Sequence, residues 1–542
     1  MQRWTTTALG AVMLGATLGA QAPARRGMTF EDVLMLRTVS DPQPSPDGAW
    51  IAYVVGGADT VANESTSAIW LARADGSAPP RRLTAGRKRD YAPRWSPDGT
   101  RLAFLSTREE RAQLWVIAPQ GGEAERFVET RTAVAAFEWA PDGTRIAFVA
   151  PRAPSAEAEK RQQRRDDPIV VDSGFVYPRL HVVEVASKRV RELPLGDVAV
   201  SDPRWSPDGR RLAVTVAPTP KADDGGRTDL WIVGADSGAP APRPLLVNPG
   251  PDAGARWSPD GRSLAILTRL TDRPGLGHQR LAVIPAEGGT PRIVVEPTAW
   301  EPQPAQWSAD GRTLYTVAQT GTTTTLFAVP VAGGAPRAVV GGDAVLAGLT
   351  LTRDGRTVVA VRSTLSAPGE VHVASVTGTS TAPLRRLTDH NPQLRDVALG
   401  AGSVVRWKGP GGLDVEGVLV LPVAHRPGTP VPTIVAVHGG PAGVWTQGFP
   451  GGWNNYAHVW AARGWAVFMP NPRGSVGYGE RFLTANYQDW GGGDYGDIQA
   501  GLDTLVARRI ADPDRLGQIG WSYGGYMTAW TVTQTTRFKA AM

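Results

Sequence analysis

Trp95-Ser96-Pro97-Asp98-Gly99 is the stretch from which the fold is read. It returns as Trp139-Ala140-Pro141-Asp142-Gly143, then as Trp205 to Gly209, Trp257 to Gly261 and Trp307 to Gly311. Ser45-Pro46-Asp47-Gly48 precedes these copies, and the worn copy Thr352-Arg353-Asp354-Gly355 follows them. The Asp-Gly pairs recur every ~45 to 65 residues, the spacing of four-stranded propeller blades. In these copies Pro, where present, presets φ, Asp bonds its own backbone, and Gly takes the left-handed position. A strand with period-two character follows at once, as in Leu102-Ala103-Phe104 and Leu212-Ala213-Val214, so each copy reads as a hairpin. A hairpin cannot bury its apolar face alone, but seven packed around an axis can. The expectation is a seven-bladed β-propeller. Its Asp residues read as turn formers rather than metal ligands, and its Trp residues as core. The longest interval, Asp142 to Asp208, holds the charged stretch Ala153 to Asp167 and reads as an insertion in one blade.

The 542 residues exceed one compact core, so at least two domains are expected. With 42% hydrophobic and 20% charged residues the composition is globular. The net charge of +6 is scattered, and the densest basic run, Lys160 to Arg165, leads into Asp166 and Asp167, so no nucleic-acid surface is expected. The absence of cysteine excludes disulfides, thiolate metal sites and a cysteine nucleophile. Arg3 followed by the apolar stretch Ala8 to Ala20 reads as a signal peptide over 1–20, cleaved after Ala20. No later run is long and apolar enough to suggest stable membrane insertion, so a periplasmic or secreted protein is expected.

After about residue 395 the repeat stops. Val404 to Trp407 and Glu416 to Leu421 read as a hairpin around Gly411-Gly412. Thr433 to Val437 is nearly all apolar and β-branched, as a strand buried on both faces should be, and it runs into His438-Gly439-Gly440-Pro441. A helical segment near Tyr456 to Arg463, a buried strand Ala466 to Met469, a helix over Asp494 to Arg508 and a short strand Leu516 to Ile519 follow. Alternating strands and helices argue for a mostly parallel sheet covered on both faces. The expected organisation is therefore a propeller with a short N-terminal helix over 28–395, then a partial α/β-hydrolase domain over 396–542.

Gly520-Trp521-Ser522-Tyr523-Gly524 matches the G-x-S-x-G nucleophile elbow. Glycines on either side let strand and helix approach, and the serine hydroxyl stands clear above the sheet. Ser522 is the expected catalytic nucleophile and Gly520 and Gly524 the elbow glycines. The oxyanion hole is expected from the N–H of Tyr523 and of Gly440. His438 precedes the nucleophile, against the Ser–Asp–His order of this fold, and is set aside as the base.

The WSPDG repeats, His438 to Pro441, Asn471 to Gly479, Trp490-Gly491 with Asp494 and Asp497, and Gly520 to Met527 together resemble the prolyl oligopeptidase family of serine peptidases, its acylaminoacyl-peptidase-like branch above all. Thr29 to Leu36 is similar to the short N-terminal helix of that branch. The resemblance implies a peptidase that takes short peptides past a gating propeller and forms an acyl-enzyme on Ser522. It implies no metal or organic cofactor.

The lack of a paired-Glu motif, and His438 where other branches carry Tyr, point away from dipeptidyl peptidases, whereas Trp521 and Tyr523 keep that branch open. The family's triad Asp and His lie well after the nucleophile, and all seven histidines here precede it. The chain is therefore expected to be a fragment and, as written, inactive. An esterase and a non-catalytic periplasmic propeller scaffold are the competing readings. Side-chain preference and oligomeric state have no signature in the sequence.

Overall fold

The repeat turns that begin with Ser or Thr close their hairpins with the same hydrogen bonds, and the Ala140 copy keeps only those of its Asp142. In the computed structural model, which describes residues 25–542 other than 169, 271–276, 296–299, 377–382 and 453, the second copy is representative. Ser96 Oγ donates to Asp98 Oδ1 and accepts the Arg101 N–H at 3.0 Å, Asp98 Oδ1 accepts the Thr100 N–H at 3.0 Å, and Gly99 has φ 71°. The same contacts recur at Ser206–Asp208, Ser258–Asp260, Ser308–Asp310 and Thr352–Asp354. These carboxylates are spent on turns, as the sequence implied. The expected signal peptide lies outside the described residues.

The turns organise seven antiparallel sheets, spanning 38–82, 90–128, 136–192, 199–246, 252–295, 301–340 and 345–386. Strand order within each follows the chain. In blade 6 the innermost strand is split, with Glu301–Pro302 and Gln306–Trp307 both paired to Thr313–Thr320. The insertion in blade 3 carries one helix, Ala156–Gln163, capped by Ser155.

The repeat tryptophans do more than fill the core. Each indole N–H donates to the carbonyl of the residue preceding the Trp position one blade earlier. Trp95 bonds Gln43 at 3.0 Å, Trp139 bonds Arg94 at 3.2 Å, Trp205 bonds Glu138 at 3.2 Å, Trp257 bonds Arg204 at 2.9 Å and Trp307 bonds Arg256 at 2.8 Å. Blade 7 has Leu351 where a Trp would stand. There the Gln306 amide takes over, accepting the Leu351 N–H at 3.0 Å and donating to Leu349 O at 2.9 Å. Each such bond contributes about 1 kcal/mol net. Blade 7 meets blade 1 without exchanging a strand among the described residues. Their seam is apolar, with Val39, Ile51 and Tyr53 against Val359, Val371 and Val373, and Thr350 Oγ1 donates to Pro42 O at 2.7 Å.

The second domain is one six-stranded sheet. Its strands are β1 (Gly402–Lys408), β2 (Asp414–Val420), β3 (Val431–Val437), β4 (Ala466–Asn471), β5 (Ala511–Gly520) and β6 (Phe538–Ala541), in the order β1-β2-β4-β3-β5-β6. β3, β4, β5 and β6 run parallel, and the hairpin β1–β2 is antiparallel. The helix Gly493–Ala507 buries Ile498, Leu502 and Leu505 against Val405, Trp407 and Phe468. β6 was not read from the sequence, and β5 begins five residues earlier than expected, because the Asp512-Pro513-Asp514 segment is polar and lacks the strand pattern.

The N-terminal helix, Phe30–Met35, has a full capping box between Thr29 and Asp32. Grouped with the propeller in the sequence, it packs against the blade-1 strand Trp50–Asp59 and also on the hydrolase. Phe30 meets Tyr456 and Trp460 edge-on, Met28 joins Val397 and Val459 in a buried cluster, and Arg26–Gly27 pairs in parallel with Val397–Ala398.

Candidate active site

β5 ends at Gly520, and the helix Tyr523–Gln534 starts three residues later. Between them Ser522 takes φ 58° and ψ −122°, a region that costs a non-glycine residue roughly 1–3 kcal/mol and persists only where the surroundings enforce it. The two elbow glycines enforce it. A Cβ on Gly520 would lie 2.2 Å from Gly524 O, and one on Gly524 would lie 2.1 Å from Val437 O. The helix thus rests backbone to backbone on both β5 and β3. Ser522 is exposed while Tyr523 and Gly524 are buried, so the hydroxyl stands outside the packed interior.

The first-turn amides of a helix have no acceptor within it, and here that end carries Ser522. Facing it is the loop after β3. A Cβ on Gly439 would lie 3.4 Å from Ser522 Cβ and 3.9 Å from its Oγ, so this glycine brings the loop against Ser522. Gly440 follows with φ 127° before a cis bond to Pro441. A Cβ there would lie 2.4 Å from Ala442 N, which excludes any other residue.

Both ring nitrogens of His438 are taken: Nδ1 lies 2.9 Å from Gly439 O and Nε2 lies 3.0 Å from Ser475 Oγ. Burial lowers its pKa to about 4, so the ring is neutral. It shapes the loop and does not reach Ser522. The remaining histidines are also elsewhere. His181 and His372 face backbone carbonyls in their blades, His278 pairs with Glu301, His390 bonds Tyr53, His425 lies in the loop between β2 and β3, and His458 bonds Leu365 O. Among the described residues no histidine is hydrogen-bonded to Ser522.

Residues quoted only as family motifs converge beneath the site. The Tyr523 hydroxyl donates to Asp494, a carboxylate whose pKa is raised by burial and held back by bonds from Tyr523, Tyr495 N–H and Gly491 N–H. Asp497, fully buried, takes Arg473 in a two-pronged ion pair at 2.8 Å on each oxygen and accepts the Arg473 N–H at 2.9 Å. Asn471 and Trp445, which no pattern flagged as a pair, hold the 438–447 loop from behind.

Residues 453–542, which include the Ser522 bend and the helix after it, match the model of the prolyl oligopeptidase family. That stretch of the chain is similar to the prolyl oligopeptidase family. It is 29% identical to the uncharacterized peptidase YuxL of Bacillus subtilis over 95% of this chain and 81% of that protein. It is 25% identical to dipeptidyl-peptidase 5 of Porphyromonas gingivalis over 93% of this chain and 76% of that one. In fold it is similar to the acylaminoacyl peptidase of Pyrococcus horikoshii, with TM-score 0.75 at 22% identity over 94% of this chain and 77% of the other. It is also similar to a puromycin-hydrolyzing peptidase of Mycobacterium tuberculosis, with TM-score 0.70 at 22% identity over 95% and 79%. The propeller followed by an α/β-hydrolase sheet is thus a fold shared with these two peptidases.

Proposed function

We propose that this chain is the propeller and nucleophile-bearing part of a serine peptidase that cleaves short peptides through an acyl-enzyme on Ser522. The observation that carries the reading is the exposed Ser522 hydroxyl on a strained strand-to-helix bend, with the Gly439-Gly440 loop against it. In the proposed reaction Ser522 Oγ attacks the scissile carbonyl, the developing oxyanion takes the N–H of Tyr523 and of Gly440, the C–N bond breaks as the amine leaves with a proton from the base, and water then hydrolyses the ester, restoring Ser522 and releasing the acid. The serine proton must go to a base, and none of the seven histidines is placed to take it. Turnover therefore needs a base from outside these residues, and residues 25–542 alone are expected to be inactive.

The third strand of blade 5 and the loops joining the second and third strands of blades 6 and 7 meet the hydrolase, through Arg280–Glu480, Gly321–Gly477 and Leu365–His458. That placement supports a propeller that screens substrates by size. The dipeptidyl-peptidase relatives favour release of dipeptides from a free amino terminus, and the signal-like segment before residue 21 supports export. The deciding experiment measures hydrolysis of dipeptidyl and N-acetyl-aminoacyl p-nitroanilides by the full gene product. Turnover that disappears in Ser522→Ala supports the proposal, and undiminished turnover in that variant refutes it. The preferred substrate separates the two exopeptidase readings.

A further inference from the structure

The hairpin tip of blade 6 reaches into the hydrolase and bonds both loops behind the nucleophile. Thr322 is the point of contact. Its carbonyl accepts the Gln447 N–H at 2.7 Å, its hydroxyl accepts Gln447 Nε2 at 3.1 Å, and its N–H donates to Glu416 Oε1 at 3.2 Å. Thr322 and Gln447 are both buried. Next to it, the Gly321 N–H donates to Gly477 O at 2.8 Å. This approach requires two glycines. A Cβ on Gly321 would lie 2.5 Å from Glu416 Oε1, and one on Gly477 would lie 2.8 Å from Gln319 Cγ. Both also have positive φ, 58° and 88°.

From these two contacts short paths lead to Gly440. Gln447 ends the loop that begins at His438. Val476, beside Gly477, donates its N–H to Gly443 O at 3.1 Å. Glu416 accepts the Tyr478 hydroxyl at 3.1 Å, Tyr478 accepts from Asn471 Nδ2 at 3.0 Å, and Asn471 bonds both backbone groups of Trp445. The loop 438–447 is thus tied to the hydrolase by the Asn471 side chain at Trp445 and by the Val476 backbone at Gly443, and to the propeller at Gln447.

We propose that Thr322 is a positioning residue for the 438–447 loop: the propeller holds the Gly440 N–H in place, and so contributes to oxyanion stabilisation as well as to access. The catalytic part rests on the function proposed above, while the mechanical part does not. A loop whose far end hangs on another domain keeps its geometry only while the domains stay docked there, because its own sequence, Gly-Gly-Pro-Ala-Gly, supplies little rigidity.

The test is amide hydrogen exchange on purified residues 25–542, which needs no turnover. Thr322→Val removes the hydroxyl acceptor, Gly477→Ala forces the two loops apart, and Thr322→Ser keeps the hydroxyl. Exchange across 439–447 is expected to rise about tenfold in the first two variants. Protection is expected to be unchanged in blade 6 and in β3 and β5, with Thr322→Ser at the parent level. Unchanged protection of 439–447 in both Thr322→Val and Gly477→Ala overturns the proposal, as does a loss spread evenly through the hydrolase sheet. A failure of the Ser522 chemistry would leave these exchange rates untouched, so the two claims fail separately.

Discussion

Asn471 grips the backbone of Trp445 at both ends: its Oδ1 accepts the Trp445 N–H at 2.7 Å and its Nδ2 donates to the Trp445 carbonyl at 2.9 Å. Asn471 is fully buried at the end of β4, so truncation strands two buried backbone groups. Asn471→Ala is expected to cost about 2–6 kcal/mol, at about 1–3 per unpaired group. Denaturant unfolding followed by hydrolase-domain tryptophan fluorescence checks it.

Gly524→Ala places a methyl group 2.1 Å from Val437 O, and neither backbone has room to retreat. The expected outcome is loss of the Ser522 bend and destabilisation above about 3 kcal/mol. Near-ultraviolet circular dichroism and thermal melting report it. The exposed-turn control Gly121→Ala, where a Cβ meets nothing within 4 Å, is expected to cost only its positive-φ strain.

Ser522 itself carries strain at φ 58°. Ser522→Gly removes the Cβ that makes that conformation costly and is expected to stabilise the hydrolase domain by about 1 kcal/mol. Unchanged or lower melting in Ser522→Gly would show the bend to be relaxed.

Gln306→Leu abolishes both bonds that stand in for the missing tryptophan of blade 7, leaving Leu349 O and the Leu351 N–H without that partner. A loss of about 1–3 kcal/mol is expected, with hydrogen exchange rising first in the innermost strand of blade 7.

Acid is expected to weaken the fold through two buried histidines. Burial lowers the pKa of His438 and of His390 to about 4, below the ordinary value of about 6.5 for the unfolded chain. Between those values the unfolded state binds more protons, so this stability is fully present above about pH 6.5 and is lost as pH falls toward 4. Urea midpoints measured across that window should fall, and His390→Gln should flatten part of the slope.

The local devices were legible without coordinates. Five Pro-Asp-Gly turns and two worn Asp-Gly copies announced seven hairpins, and Gly520 to Gly524 announced a strand-to-helix bend, because turn chemistry acts over four or five residues. The blade-to-blade role of Trp205 was not legible, since its acceptor, Glu138 O, lies 67 positions away and is a backbone atom with no sequence signature. The partition of Gly477 was equally hidden. It looked like a motif glycine of the hydrolase, and the demand for it comes from Gly321 in the propeller.

The chain's own order of residues therefore determined the number of blades, the place where parallel sheet begins and the identity of the exposed serine, all matters of short-range geometry and periodic burial. Tertiary structure alone decided that His438 is occupied by Gly439 and Ser475, that the N-terminal helix rests on the hydrolase, and that Thr322 ties the propeller to the loop facing Ser522. Those relationships join residues tens to hundreds of positions apart, and which of many polar atoms meet at such distances is set only once the packed cores have fixed every backbone in space.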